Sequence, residues 1–210
     1  MKIKKMMLSA IVVAALVDWI HVPLASAAIS TYGTDLQTDI QEIISLDCGG
    51  STVNLGNITP GDPVVGSSVC TATTNANGGY ALAVKRDDAT DTTMDKDLDQ
   101  AVNIDDKTAW DPTASAGSGN ASSWTGTGLG FTVFASTATK NDAWWGNGTT
   151  VSDPANMYAG FAATQKDIMR HTSYSSSSTA TSIGYRLDVP SSQKSGAYSG
   201  SITYQAITNP

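Results

Sequence analysis

Ser182–Val189 reads SIGYRLDV, and after a turn at Ser191–Gly196 the segment Tyr198–Ile207 reads YSGSITYQAI. In the first stretch Ile183, Tyr185, Leu187 and Val189 alternate with Ser182, Gly184, Arg186 and Asp188. A period of two places alternate side chains on opposite faces, the pattern of a strand with one face buried. Tyr198, Ile202 and Tyr204 carry the alternation on toward the end of the chain. Two such runs joined by a turn predict a C-terminal hairpin.

Working outward, the same pattern recurs. Leu129, Phe131 and Val133 mark a further strand. Tyr80, Leu82 and Val84 alternate with Ala81, Ala83 and Lys85, and the preceding Asn75-Ala76-Asn77-Gly78-Gly79 reads as the tight turn of another hairpin from Val69–Thr73. Thr52–Leu55 reads as a short strand, and Asn57–Pro63 (NITPGDP) as a turn cluster. Leu36, Ile40, Ile44 and Leu46 fall on one side of an alternating run, and its Ile-rich composition favours strand over helix. Asn156–Met169 reads either as a short helix begun at Asp153-Pro154 or as a strand. Asp87–Pro112 is a long acidic excursion, Thr113–Ser123 a Gly/Ser/Ala-rich loop, Lys140–Pro154 a loop holding Trp144 and Trp145, and Ser173–Thr181 a polar connector. Short strands at intervals of roughly ten residues, with turns between them, predict an all-β antiparallel β-sandwich with long acidic and Trp-containing loops.

The N-terminus has a different character. Lys2, Lys4 and Lys5 precede the uncharged apolar run Met6–Val17, and Ala25-Ser26-Ala27 supplies small residues at a cleavage position. The run is shorter than the about 20 residues a bilayer-spanning helix needs. Residues 1–27 therefore read as a cleavable signal peptide, leaving 28–210 as a single secreted domain with no stable membrane anchor. The leader holds three Lys and Asp18; the remaining 183 residues carry 9 basic and 18 acidic side chains, a net charge near −9. Such a surface repels nucleic acid and anionic membranes. All of its acids except Glu42 are Asp, a turn residue and a poor helix former.

Cys48 and Cys70 both lie in the exported part. In an oxidising compartment an isolated pair is normally a disulfide, here closing a loop of about 22 residues. Two free buried thiols are the other arrangement the sequence allows.

Cys48 to Val84 has the form C-x4-V-N-L-G-x-I-T-P-G, a second Cys, then T-N-A-N-G-G-Y-A-L-A-V, and Gly196–Tyr204 reads G-x-Y-x-G-x-I-T-Y. Together these resemble small secreted bacterial surface proteins whose last hairpin carries that C-terminal signature. The hairpin is similar to the closing strands of pilin-like and spore-coat-like sandwiches, and distantly to WxL surface proteins. The resemblance implies an immunoglobulin-like or pilin-like sandwich and a surface location. In place of the Trp-x-Leu motifs of WxL proteins the chain has Trp124-Thr125-Gly126.

Little in the sequence points to catalysis. The exported part has one His, His171, in the polar stretch RHTS, and no G-x-S-x-G. We therefore expect no enzyme and no catalytic residues. Asp95, Asp97 and Asp99 stand at i, i+2 and i+4, the spacing at which a curled loop offers oxygens to Ca²⁺, and Asp106 falls where the last carboxylate belongs. Gln100 occupies the position where the sharp turn needs Gly. Asp95, Asp97, Asp99 and Asp106 are thus candidate ligands for Ca²⁺, against a plain solvated acidic loop; no other cofactor is suggested. Trp144 and Trp145 are candidate ligand-binding residues, since flat aromatic faces in loops stack on sugar rings, against caps over the end of the core.

Two functions fit these residues. One is a structural or assembly subunit of the extracellular space or cell surface, pilus-like or coat-like, partnered by itself or by other surface proteins in adhesion. The other is a soluble carbohydrate-binding module, possible stabilisation by Ca²⁺ included. Export is directly testable: intact mass of the secreted protein is expected to show a chain beginning at Ala28, and a retained Met1–Ala27 segment overturns the leader assignment.

Overall fold

The computed structural model describes residues 33, 35–50, 52–88 and 91–209. The signal peptide assigned to residues 1–27 lies outside the described residues. Residues 41–210 form one compact unit; the unit before it ends at Ile40, and its described residues 35–40 carry no regular secondary structure.

The elements run β1 (Ile44–Asp47), β2 (Val64–Thr74), β3 (Tyr80–Arg86), β4 (Met94–Lys96), β5 (Asp99–Ile104), β6 (Ser122–Ser123), β7 (Gly128–Ser136), β8 (Met157–Tyr158), β9 (Lys166–His171), β10 (Ser175–Asp188), β11 (Tyr198–Ser199) and β12 (Ile202–Thr208). Two antiparallel sheets, in the orders β1-β2-β10-β7 and β12-β3-β9, make the sandwich. Smaller sheets β11-β4-β5 and β6-β8 are built from the long connections. The predicted antiparallel β-sandwich with one disulfide is the fold of residues 41–210.

Between the sheets lie Cys70 and Ala72 of β2, Ile183, Tyr185 and Leu187 of β10, Leu129, Phe131 and Val133 of β7, Leu82 and Val84 of β3, and Ile168 and Met169 of β9. Except for the adjacent pair Ile168 and Met169, these are the alternating apolar positions of each strand, and their burial is the main favourable contribution to folding. Strand β3 is buried on both faces from Tyr80 to Val84. Its alternating small residues, Ala81 and Ala83, let a second layer pack against its outer side. A hydroxyl chain crosses the interior, Ser68 Oγ to Tyr185 OH at 2.6 Å and Tyr185 OH to Tyr204 OH at 2.7 Å. Burial and the adjoining Tyr185 push the Tyr204 phenol well above its ordinary pKa.

Neither predicted hairpin forms. Strand β2 is paired with β1 on one edge and β10 on the other, so the chain leaving it has no free edge beside it. It crosses instead to the second sheet through residues 75–79, with Ala76 fully buried. Gly79 has φ +77°, and a Cβ there would sit 2.1 Å from the His171 carbonyl oxygen, so only glycine fits. Strand β10 is likewise paired on both edges, with β2 and β7, and the C-terminal segment crosses to pair with β3 from Ile202 to Thr208.

Other boundaries differ for equally local reasons. Ser173–Thr181 is not all connector: β10 begins at Ser175, where Ser175 and Thr179 hydroxyls bond each other at 2.8 Å and satisfy buried polar atoms. The ambiguous Asn156–Met169 resolves as strands β8 and β9. Thr52–Leu55 is not a strand; Val53 and Leu55 pack over Gly66 of β2. The strand expected from Leu36 starts only at Ile44. Ile44 pairs with Thr74, the last residue of β2, and the residues just before it are held by Asn75 of the arch, which bonds Ile43 and Gln41 outside any ladder.

The register Ile44↔Thr74 to Asp47↔Thr71 places Cys48 directly opposite Cys70, and the two are bonded. The bridge staples edge strand β1 to β2. Replacing both cysteines with Ser is expected to lower unfolding stability by about 3 kcal/mol in urea titrations; unchanged stability, or free thiols in the unreduced denatured protein, would contradict this.

Candidate functional site

The residues singled out in the sequence are not brought together. Trp144 and Trp145 lie on a single helical turn, Asp142–Trp145, capped by the Asn141 side chain, which accepts from the Ala143 N–H. Gly146, at φ +72°, ends the turn. The pair does not form an exposed platform, because the turn faces inward: Trp145 is fully buried and Trp144 nearly so. Trp110 joins them at ring-centroid distances of 4.4 and 5.4 Å, and Phe131 and Phe161 extend the cluster. Inward burial is possible because each indole N–H finds a carbonyl. Trp144 donates to Gly117 at 2.8 Å, Trp145 to Ile168 at 2.8 Å and Trp110 to Asp167 at 2.7 Å.

The last two bonds matter for the sheet edge. Strand β9 carries a bulge, with Leu82 opposite Met169 and Ala83 opposite Asp167, so Ile168 is the extra residue. The carbonyls of Asp167 and Ile168 that the bulge frees are the ones the two indoles cap. Strand β9 is thereby closed to further pairing at its centre.

The four candidate metal ligands are also separated. The predicted Ca²⁺ loop is a β-hairpin, β4 to β5, turned through Asp97 and Leu98, which has φ +65°. Asp97 accepts a hydrogen bond from Ser199 at 2.7 Å, and Asp99 lies 3.8 Å from the Lys194 ammonium. Asp95 faces Asn103 across the hairpin, where burial and the neighbouring Asp88 and Asp91 carboxylates raise its pKa. Asn103 donates to Asp91. Asp106 is turned inward at the base of the hairpin. A strand pair sends side chains at i, i+2 and i+4 to one face but spreads them along it, and does not curl them round a cation. Among the described residues, no group of three or more His, Cys, Asp or Glu is arranged to hold a metal ion.

Asp106 is instead the centre of a buried polar link. Its Oδ2 accepts from the Thr93 N–H at 2.9 Å and the Thr93 hydroxyl at 2.8 Å, and lies 3.7 Å from Arg86 Nη1. Arg86, at the end of β3, also donates to the carbonyls of Asp88 and Phe161. Together they tie the acidic excursion to the second sheet. Burial pushes the Asp106 carboxyl up to about 6, against the opposing pull of the Thr93 bonds and Arg86.

His171, the one candidate base, packs its ring on Tyr80 at 5.8 Å. Its Nε2 lies 3.4 Å from the Ser173 hydroxyl, two residues away in the chain. No carboxylate bonds the ring among the described residues, so the base–orienter pair of a nucleophilic triad is not assembled.

Trp124, which the sequence places in a loop as it does Trp110, Trp144 and Trp145, is not drawn into the core. It is half-buried on the outer face of the β7–β10 pair, edge-on to Tyr158 at 5.3 Å, with the Lys107 ammonium 4.3 Å and the Arg186 guanidinium carbon 5.0 Å from its ring. The signal for it was Gly130, a glycine inside an otherwise bulky strand. A Cβ at Gly130 would lie 3.1 Å from Trp124 and 3.0 Å from Lys107.

No protein-family profile matches the chain, and no curated protein is significantly similar to it. No helix among the described residues is long and apolar enough to cross a membrane. The disulfide fits an oxidising, extracytoplasmic compartment.

The Asp106 pKa gives a pH prediction. At about 6 in the folded state against 3.8 ordinarily, the carboxyl holds its proton more tightly when folded. Its stabilising contribution is full below the unfolded pKa and is lost as pH rises through the folded one, at no more than about 1.4 kcal/mol per pH unit. Asp106→Asn keeps an oxygen for Thr93 but does not titrate. Urea unfolding from about pH 4 to 7 is expected to show the stability of the variant relative to wild type rising up to about pH 6, then levelling. Parallel curves would overturn the assignment.

Proposed function

We propose that this protein is a non-enzymatic subunit of an extracellular or cell-surface assembly, joined to copies of itself by strand addition. The observation that carries the reading is the apolar segment before β1. Leu36, Ile40 and Ile43 are exposed at 93, 82 and 68%. Leu36 and Ile40 keep the alternating phase of Ile44 and Leu46, which pack on the core. The segment is strand-like in sequence, and β2, ending at Thr74, offers it no register partner.

The acceptor is β12. It pairs with β3 along seven residues, and no other described strand is hydrogen-bonded to it. Its inward residues Ile202, Tyr204 and Ala206 are only partly buried. An unpaired edge of this kind offers alternate N–H and C=O groups to an incoming strand, and main-chain bonds supply affinity while side-chain pockets supply register. Residues 35–40 offer six positions against the seven of β12, and the chain beyond them is held by Asn75, which bonds Gln41 and Ile43. Export through the leader at residues 1–27 would deliver the subunit to the surface with this segment near its new terminus.

Sedimentation velocity and negative-stain microscopy of the secreted protein test the reading. Wild type is expected to form head-to-tail oligomers. The variant Leu36→Asp/Ile40→Asp is expected to stay monomeric with unchanged circular dichroism and an intact Cys48–Cys70 bond. A monomeric wild type at high concentration, or oligomers that persist in the variant, would refute it.

A further inference from the structure

Around Trp124 the outer face of the first sheet carries a small cavity of about 200 Å³. Its wall includes the Lys107 ammonium, the Trp124 and Tyr158 rings, and the side chains of Asn120, Ser122 and Ser123. Lys107 donates to the Thr125 carbonyl, which fixes its position over the Trp124 ring. Arg186, paired across the sheet with Gly130, stacks against Trp124 and lies 5.9 Å from the Tyr158 ring.

Two features make this more than a packed patch. First, its positive charge is not ion-paired. Neither Lys107 nor Arg186 forms an ion pair with a described carboxylate, and Arg186 Nε is buried without an acceptor. Asp188 acts on Lys107 electrostatically without pairing with it, and its Oδ1 already accepts the N–H groups of Gly61 and Val189. Burial and the Arg186 charge lower the Lys107 pKa. In a chain of net charge −7 this is an isolated cationic spot. Second, donors are left over. The indoles of Trp110, Trp144 and Trp145 all donate to carbonyls, whereas that of Trp124 donates to no described acceptor. The exposed Ser122 and Ser123 hydroxyls bond no other described side chain.

We propose that this cavity binds one carboxylate-bearing sugar residue of an acidic polysaccharide. Lys107 takes the carboxylate, with Arg186 behind it adding to the local potential. The Ser122 and Ser123 hydroxyls and the Trp124 N–H face sugar hydroxyls, and the two rings offer apolar surface to the sugar C–H groups. A phosphate group fits less well, since one partly buried ammonium and neutral hydroxyls supply too few charged donors for a dianion. The overall negative charge opposes any diffuse attraction of a polyanion, so binding here has to be local. The site is independent of the β12 edge and stands whether or not the subunits polymerise.

The test is an NMR titration of the Trp124 indole N–H, assigned with Trp124→Phe, in the secreted protein. A short oligogalacturonate is the probe, its fully methyl-esterified form the neutral control, and inorganic phosphate the competing oxyanion. The expected result is a saturable shift with the oligogalacturonate, none with the ester, and a weaker response to phosphate. Lys107→Met, which keeps an apolar stem on the Trp124 ring, is expected to weaken binding by at least about tenfold. No shift at millimolar oligogalacturonate, an equal shift with the ester, or tighter binding of phosphate overturns the proposal. The acid–ester comparison on wild type decides the matter even if the variant does not fold.

Discussion

Strands β2 and β10 each have both hydrogen-bonding edges occupied within the first sheet, and most of the topology follows. A strand with no free edge cannot be half of a hairpin with what comes next. The chain leaving β2 and the chain leaving β10 must both cross the core, and both arrive at β3, which takes β12 on one side and β9 on the other. Two crossings from the same pair of strands hold the sheets face to face, and the buried arch at Ala76 and Gly79 is the geometric cost of the first.

With the interior strands fixed, the four sheet edges decide where a further strand has room to pair. The edge of β7 is sealed by backbone bonds from Asp105–Lys107 and from Ala159. The centre of β9 is sealed by the indoles of Trp110 and Trp145. Sealing by side chain works there because the bulge at Ile168 breaks the ladder and leaves carbonyls that a strand could not pair in register. The other side of the sandwich is treated differently. Strand β1 is four residues long and is held by the disulfide, and β12 keeps an open edge with half-buried inward residues. The asymmetry of one closed and one open flank is what a subunit adding strands in one direction needs.

Some of the polar groups taken into the fold serve as ties between its parts. Asp106, Arg86 and Thr93 tie the acidic excursion to β3. Of the carboxylates on the β4–β5 hairpin, Asp97 is bonded to Ser199 and Asp99 lies close to Lys194. Around Trp124 the matching is incomplete, with two cations and no ion pair. Buried or half-buried charge left unpaired costs stability, and its retention beside a cavity is the physical ground for assigning a ligand to that face.

Alternation along Ile183–Val189, Leu129–Val133 and Tyr80–Val84 determined the strands and their core faces, because period two is a local property that backbone geometry imposes on any half-buried strand. The Asp-rich, Glu-poor composition likewise pointed to an all-β fold, while the bond between Cys48 and Cys70, one of two arrangements open to the sequence, follows from the register of β1 on β2. Which strands pair was decided only in the tertiary structure, since an arch and a hairpin share the same turn residues and differ in whether an edge is free. The inward fate of Trp144 and Trp145 was decided there too: an indole is buried or exposed according to whether a carbonyl stands within reach of its N–H, and those carbonyls come from Gly117 and Ile168, 27 and 23 residues away. The dispersal of Asp95, Asp97, Asp99 and Asp106 has the same origin, for their spacing is common to a curled loop and an extended hairpin, and the register of β4 on β5 selects the hairpin. Trp124 acquires its neighbours through Gly130 and Arg186, paired across β7 and β10 and separated by 56 positions in the chain.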